Sequence, residues 1–490
     1  MHRRPPLLPT LALFLALLAN LLRAEQPKKP KSAPPSPAPA APATGSATSN
    51  PRPSSTPPAA TPTATAAQPS NKPAEAPYKL RITAPGNAVF SRNEEITFTA
   101  RLEKNGKPVS KGELQWTLSK DGLGSLSTGS TPIEGGVAHI KGSLAEPGFL
   151  QCLAVYTTPD DAAKVIQRGA VAIEPLKIDP SLPSPADFDA FWNAQKEALT
   201  KIKADPILTE ISSPIPEVTC FDVQAGAIDA PVSAYLARPA NAKPRSLPAI
   251  LLVHGAGVRS SSLGAATHWA KNGALAMDLN AHGIANGQPP EFYTELQNGA
   301  LRDYRTRGGD DREHVYFRGM FLRLIRAIDL LTAQPEWDGR TVVVYGSSQG
   351  GAQALVAAGL DSRVTFFAAG VPAMCDHTGM IRERICGWPK FVPLNADHQP
   401  DARALDSIRY YDAVNFATRI KVPGIVTVGF IDTTCPPTTV YAAYNAIPGT
   451  KDIFNDPLSD HHVSSAASDA MEKAVRAHIS ASTRKAHAGN

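Results

Sequence analysis

Cysteine is scarce in this 490-residue sequence, with five residues at positions 152, 220, 375, 386 and 435. So few cysteines exclude a disulfide-stapled scaffold, and an odd number leaves at least one thiol free in an exported protein. Cys375 and Cys386 stand close enough in sequence to bridge, and bridging further requires a Cα separation that sequence does not specify. No CxxC pair and no HExxH helix occurs. Motif-grade zinc sites are thereby excluded, and neither a metal nor a cofactor is expected. Excess charge is also lacking: 49 Lys and Arg stand against 44 Asp and Glu, a net +5. The basic residues are not gathered into stripes, so no nucleic-acid partner is expected. Beyond the N-terminus no second long apolar run occurs, which excludes a further membrane-spanning helix. No internal repeat is visible.

The prolines, 46 in all, are spread unevenly and mark the first boundaries. His2, Arg3 and Arg4 precede an unbroken apolar run from Leu11 to Ala19, and Ala24 is a small residue suited to the last position before cleavage. Residues 1–24 are therefore expected to be a signal peptide, and the mature protein to be secreted or periplasmic, without a membrane partner. The apolar run is short against the ~20 residues of a bilayer-spanning helix. No cysteine stands near the cleavage point for a lipid anchor. Residues 25–77 are nearly all Pro, Ala, Ser and Thr. They have almost nothing to bury and read as an extended, disordered spacer.

From Tyr78 the pattern changes to short alternating runs. Tyr78–Thr83, Glu95–Leu102, Glu113–Leu118 and Phe149–Tyr156 are separated by turn pairs such as Asn105-Gly106 and Asp121-Gly122. Period-two alternation with such turns predicts antiparallel strands, and a stretch of this length fits an immunoglobulin-like β-sandwich over residues 78–178. Trp116 and Cys152 resemble that fold's buried tryptophan and late cysteine, while its second cysteine is absent. The unit reads as a spacer or packing domain, with carbohydrate binding as the alternative.

Residues 179–490 follow another regime. Asp187-Phe-Asp-Ala-Phe-Trp192 opens an amphipathic helix, and apolar strands then alternate with helical segments. The strands are Ala249–His254, Ala274–Asp278, Thr341–Tyr345, Val364–Ala369 and Pro423–Phe430, with a helix over Phe317–Leu331. Continuous apolar strands between helices predict a mostly parallel sheet covered on both faces, an α/β architecture.

The chemistry-bearing signal is Gly346-Ser347-Ser348-Gln349-Gly350, directly after the Thr341–Tyr345 strand and before a helical segment. Strand, tight turn and helix make a nucleophile elbow, which exposes the hydroxyl of Ser348 at the carboxyl edge of an α/β-hydrolase sheet. Ser347 precedes the nucleophile and is not the candidate. A serine hydroxyl needs a base to take its proton and a carboxylate to orient that base, in the chain order serine, acid, histidine. Asp432 follows the Pro423–Phe430 strand, where that acid should stand. Among the later histidines, His478 falls in the last helix and His487 in the tail, leaving His461 or His462 as the base. The oxyanion needs two donors. Val253-His254-Gly255-Ala256-Gly257 follows an early strand and offers the N–H of Ala256, and Gln349 offers the other. His254 reads as structural, holding this loop.

With these residues assembled, the segment from Asp179 to Ser480 resembles the acetyl xylan esterase and cephalosporin-C deacetylase family, carbohydrate esterase family seven. The resemblance rests on Asp187–Trp192, His254-Gly255, Tyr316-Phe-Arg-Gly319 with Arg326-Ala327, and Gly346-Ser-Ser-Gln-Gly-Gly351. Asp432-Thr-Thr-Cys-Pro-Pro437 and Tyr441-Ala-Ala-Tyr-Asn445 complete it. It implies a cofactor-independent serine esterase that removes acetyl groups from carbohydrates or similar small alcohols. Another acyl group on the same fold, such as feruloyl, and a catalytically weak carbohydrate-binding protein are the alternatives. Aligning Asp460 with the small residue that precedes the family's base favours His461. Three positions depart from the family: Asn280-Ala-His-Gly283 replaces its RGQG segment, Ala256 replaces the tyrosine after the HG pair, and His462 replaces the glutamate after the base. The resemblance also implies a homo-oligomer, often a hexamer, whose assembly an added N-terminal unit would alter.

Overall fold

Described by a computed structural model, residues 77–84, 86 and 88–488 form two nine-stranded sheets and nine α-helices. The signal segment 1–24 and all of the spacer except Pro77 lie outside the described residues.

The first sheet holds β1 (Tyr78–Thr83), β2 (Val89–Phe90), β3 (Ile96–Lys104), β4 (Lys107–Pro108), β5 (Lys111–Lys120), β6 (Leu123–Glu134), β7 (Val137–Gly142), β8 (Gly148–Thr157) and β9 (Lys164–Ile173). Their order is β1-β3-β7-β6-β5-β8-β9-β2, with β4 on the flank of β3, and every pairing but β2–β9 is antiparallel. Alternation decides which side faces inward: Ile96, Phe98, Ala100 and Leu102 of β3 are buried and the residues between them are not. Both turn pairs read from the sequence close hairpins with both residues at positive φ, 52° and 75° at Asn105-Gly106 and 54° and 76° at Asp121-Gly122. Cys152 is fully buried, whereas Trp116 is half-buried, lying against Gly129 with its indole N–H on Thr131 Oγ1 at 2.9 Å.

The second sheet holds β10 (Ile207–Ile211), β11 (Val218–Ala225), β12 (Val232–Pro239), β13 (Leu247–Val253), β14 (Leu275–Leu279), β15 (Trp337–Ser347), β16 (Phe366–Gly370), β17 (Gly424–Gly429) and β18 (Lys451–Asp456). The order is β10-β11-β12-β14-β13-β15-β16-β17-β18. From β14 to β18 every pairing is parallel, and the β10–β11, β11–β12 and β12–β14 pairings are antiparallel. The sheet is therefore mixed, with an antiparallel wing that the apolar-run pattern did not announce. The helices are α1 (Phe188–Thr200), α2 (Leu263–Lys271), α3 (Pro290–Asn298), α4 (Phe317–Thr332), α5 (Gln349–Leu360), α6 (Ala402–Ile408), α7 (Ala413–Ala417), α8 (Pro437–Ala446) and α9 (Ser465–Ala488). None among the described residues is long and apolar enough to cross a membrane.

Every residue of β13, β16 and β17 is buried, as strands covered on both faces must be. Because β13, β15, β17 and β18 run parallel, the segments after Val253, Ser347, Gly429 and Asp456 all emerge at one edge, the carboxyl edge where open α/β sheets bind ligands. The described residues form one compact unit, and Phe149 and Leu150 of β8 share one apolar cluster with Phe430, just after β17, and Tyr441 of α8.

Candidate active site

Ser348 sits between β15 and α5 at φ 59° and ψ −122°. Few L-residues adopt such a backbone, and it costs on the order of 1–3 kcal/mol where it persists. The flanking glycines make the turn feasible. A Cβ at Gly346 would lie 2.5 Å from Val253 O, and one at Gly350 would lie 2.1 Å from the same oxygen. The elbow is pressed against the end of β13, and no larger residue fits at either place.

His461 Nε2 lies 2.9 Å from Ser348 Oγ, and His461 Nδ1 lies 2.8 Å from Asp432 Oδ2. Asp432 is buried, and its other oxygen, Oδ1, accepts the N–H groups of Thr434 and Cys435, each at 2.8 Å. One carboxylate oxygen thus folds its own loop while the other meets the imidazole. His462 is turned away, hydrogen-bonded to Asp460 and 60% exposed at its side chain. The structure brings together Ser348, His461 and Asp432, and leaves His462 outside the chain of hydrogen bonds.

The oxyanion candidates Gln349 and Ala256 lie on segments that adjoin Ser348. Gln349 opens α5, whose first N–H groups have no partner within the helix and carry its positive dipole end. Its side chain is fixed by Tyr304 Oη at 3.2 Å and is buried. Gly255 runs beside Ser348, since a Cβ on Gly255 would sit 3.5 Å from Ser348 Cβ. Arg259 ties this loop down by donating to Ala256 O at 2.9 Å and Gly255 O at 3.2 Å. His254 holds it from below: its Nε2 accepts the N–H of Ala281 at 3.0 Å, so Nδ1 carries the proton and donates to Gly255 O at 2.7 Å. Burial pushes His254 down to about 4, which keeps it neutral and suits a structural part. Within Asn280–Gly283, Asn280 Oδ1 accepts the N–H of His282 at 3.0 Å, and His282 Nδ1 meets Tyr316 Oη at 2.8 Å.

Cys435, which the sequence offers only as part of a motif, is buried, and burial pushes its thiol well above the ordinary range. Asp432, Cys435 and His461 bring ligand-type atoms within 4.8 Å of one another. That set fits a metal poorly: both carboxylate oxygens and both ring nitrogens are already hydrogen-bonded, and the thiol is kept protonated. All five cysteines are free thiols, Cys375 and Cys386 included.

Comparison with known proteins agrees with this geometry. The family profile described as acetyl xylan esterase (AXE1) matches residues 172–474. An acetyl esterase, Axe7A, from Xylanibacter ruminicola is 32% identical over 410 residues, covering 81% of this chain and 89% of the relative. Among solved structures, the acetyl xylan esterase from Paenibacillus sp. R4 superposes with a TM-score of 0.55 at 26% identity, over 62% of this chain and 98% of that one. Acetyl Xylan Esterase 1 from Thermoanaerobacterium sp. JW/SL YS485 superposes with a TM-score of 0.50 at 24% identity, over the same shares, a likeness of fold. The sheet of residues 207–456 with its helices is thus of the α/β-hydrolase type, and the chain belongs to the acetyl xylan esterase family.

Proposed function

We propose that this protein is a serine carboxylesterase that removes O-acetyl groups from carbohydrates by way of an acetyl-enzyme. The reading is carried by one observation: in a member of the acetyl xylan esterase family, a serine on a strained elbow is hydrogen-bonded to an imidazole that is hydrogen-bonded to a buried carboxylate. Ser348 Oγ attacks the acetyl carbonyl carbon as His461 Nε2 takes its proton, and Asp432 stabilises the imidazolium that forms. The N–H groups of Gln349 and Ala256 stabilise the charge on the carbonyl oxygen. The sugar hydroxyl leaves with the proton from His461. Water, deprotonated by the same imidazole, then releases acetate and restores Ser348.

The same proposal takes residues 1–24 as an export signal, residues 25–77 as a spacer, residues 78–178 as an immunoglobulin-like unit, and the working form as a homo-oligomer. Acetate release from acetylated xylo-oligosaccharides, measured beside aryl esters and longer-acyl esters, tests the activity. Efficient acetate release with poor turnover of longer acyl groups is expected. Preference for feruloyl or long-chain esters would overturn the acyl assignment, and no turnover of any ester would overturn the enzyme.

A further inference from the structure

The first sheet touches the α/β-hydrolase part of the chain at the two ends of the loop that carries Asp432. Asp121, in the β5–β6 hairpin, accepts the hydroxyl proton of Thr438 through Oδ1, which also accepts the N–H of Phe149 at 3.1 Å. Thr438 is the second residue of α8, the helix that follows the Asp432 loop. Gln151 of β8 donates from Nε2 to Phe430 O at 3.4 Å, two residues before Asp432. Between these contacts the ring of Phe149 packs edge-on to Phe430, with centroids 5.0 Å apart, and at 5.7 Å from Tyr441 of α8. All six of these residues are at most 4% exposed. The far end of α8 is held from the same side, since Asn445 Nδ2 donates to Pro175 O and Ile178 O, each at 2.9 Å.

We propose that Asp121, Phe149 and Gln151 form a seat that positions Asp432 against His461, which makes the N-terminal sheet a working part of the esterase centre. This rests on the triad reading given above. Both anchors of the acid loop, Phe430 at the strand end and Thr438 at the helix start, bear on the seat. Two prolines, Pro436 and Pro437, begin α8, and no side chain of its own segment caps it. Asp121 therefore supplies from another sheet a hydrogen-bond acceptor at the start of α8, on the hydroxyl of Thr438. The loop that leads to His461 borders the same unit: a cavity of about 260 Å³ lies between Ile82, Ala88 and Gly169 on one side and Asp456, Pro457 and Leu458 on the other.

Two features distinguish a seat from mere adhesion. Asp121 is a carboxylate in a dry contact, with Oδ2 lacking any partner, where an apolar residue would adhere at lower cost. The contact also lies outside the frame shared with the family profile and the Paenibacillus structure. The family match begins at residue 172, and 62% of this chain accounts for 98% of the Paenibacillus esterase.

The test uses the full-length protein and a small acetyl ester, with kcat expressed per serine titrated by a fluorophosphonate. Asp121→Leu and Phe149→Ala should lower kcat by about 10- to 100-fold, the effect expected of a misplacement of about 1 Å, with KM little changed. The acid limb of the kcat/KM profile should move to lower pH, because an imidazolium that loses its carboxylate is less stable. Thr438→Val, nearly isosteric, should do the same to a smaller extent, and it carries the test should Asp121→Leu fail to fold. Asp121→Asn, which keeps the acceptor, should behave as wild type. Variants with wild-type kcat per titrated serine and an unmoved pH profile would overturn the seat. So would a loss that merely tracks the folded fraction. Activity surviving in Ser348→Ala would instead overturn the triad reading beneath it.

Discussion

His461 and Asp432 meet through Nδ1 and Oδ2 at 2.8 Å, while the adjoining His462 turns its ring to Asp460. The chain bends at this point, with the His462 N–H on Asp460 O at 2.9 Å, and the two rings take different partners, so only one imidazole reaches the elbow. His461→Ala should lower kcat about 10⁴-fold or more, since members of such a triad act as a unit. His462→Ala should keep kcat within a few-fold and show any effect in KM. Steady-state kinetics of the two variants decides it. A dead His462→Ala beside an active His461→Ala would reverse the assignment.

Ser348 and Ser347 provide a parallel contrast within the elbow. Ser348→Ala should leave a folded protein that has lost about 10⁴-fold or more in turnover. Ser347 lies within β15, paired with Gly370, and Ser347→Ala should keep most of the activity. Gly350→Ala tests the turn itself. Its Cβ would stand 2.1 Å from Val253 O, a backbone atom that cannot swing aside, so a stability loss of about 3 kcal/mol or more is expected in denaturant titration.

The elbow was legible because its chemistry is local. A strand, a Gly-x-Ser-x-Gly turn and a helix follow one another, and the glycines are imposed by a single contact with Val253 O. Asp432 was legible from the strand it follows. The histidine pair could not be separated by spacing alone, because one residue of register exchanges the two sides of the chain. The edge strands β10 and β18 lack that kind of signal. Ile207–Ile211 and Lys451–Asp456 include no buried residue, so neither shows an apolar run. Asp121 was the deepest omission. Asp121-Gly122 reads as a hairpin turn, and so it is, yet the aspartate is buried against Thr438, 317 positions away. No local pattern encodes such a contact.

Thiol counting checks the cysteines. Four of the five are buried, and Cys386 alone is partly accessible, its thiol pushed up by burial. An aromatic disulfide reagent should label one thiol slowly in the native protein and all five after denaturation without reductant. Two fewer in the denatured count would mean that a disulfide had formed.

Asp121 also makes stability depend on pH in a direction opposite to most carboxylates. Burial raises it from 3.8 to about 6, against the pull of its bonds to Thr438 and Phe149 and of Lys120 and Arg384 nearby. Lys120 is itself paired with Glu146 at 2.6 Å, which weakens its help. The folded protein therefore favours the protonated acid. The stability this group lends is complete below about 3.8 and is lost as pH rises through 6, on the order of 3 kcal/mol in all. Asp121→Asn keeps the acceptor for both hydrogen bonds and carries no charge at any pH. Between pH 5 and pH 8 the wild type should lose stability relative to Asp121→Asn, so that the variant melts higher at pH 8 and the gap narrows toward pH 5. Other titrating groups are common to both proteins and cancel in the difference. Thermal melts across that range measure it, and curves that stay parallel would show that Asp121 does not carry the buried charge assigned to it.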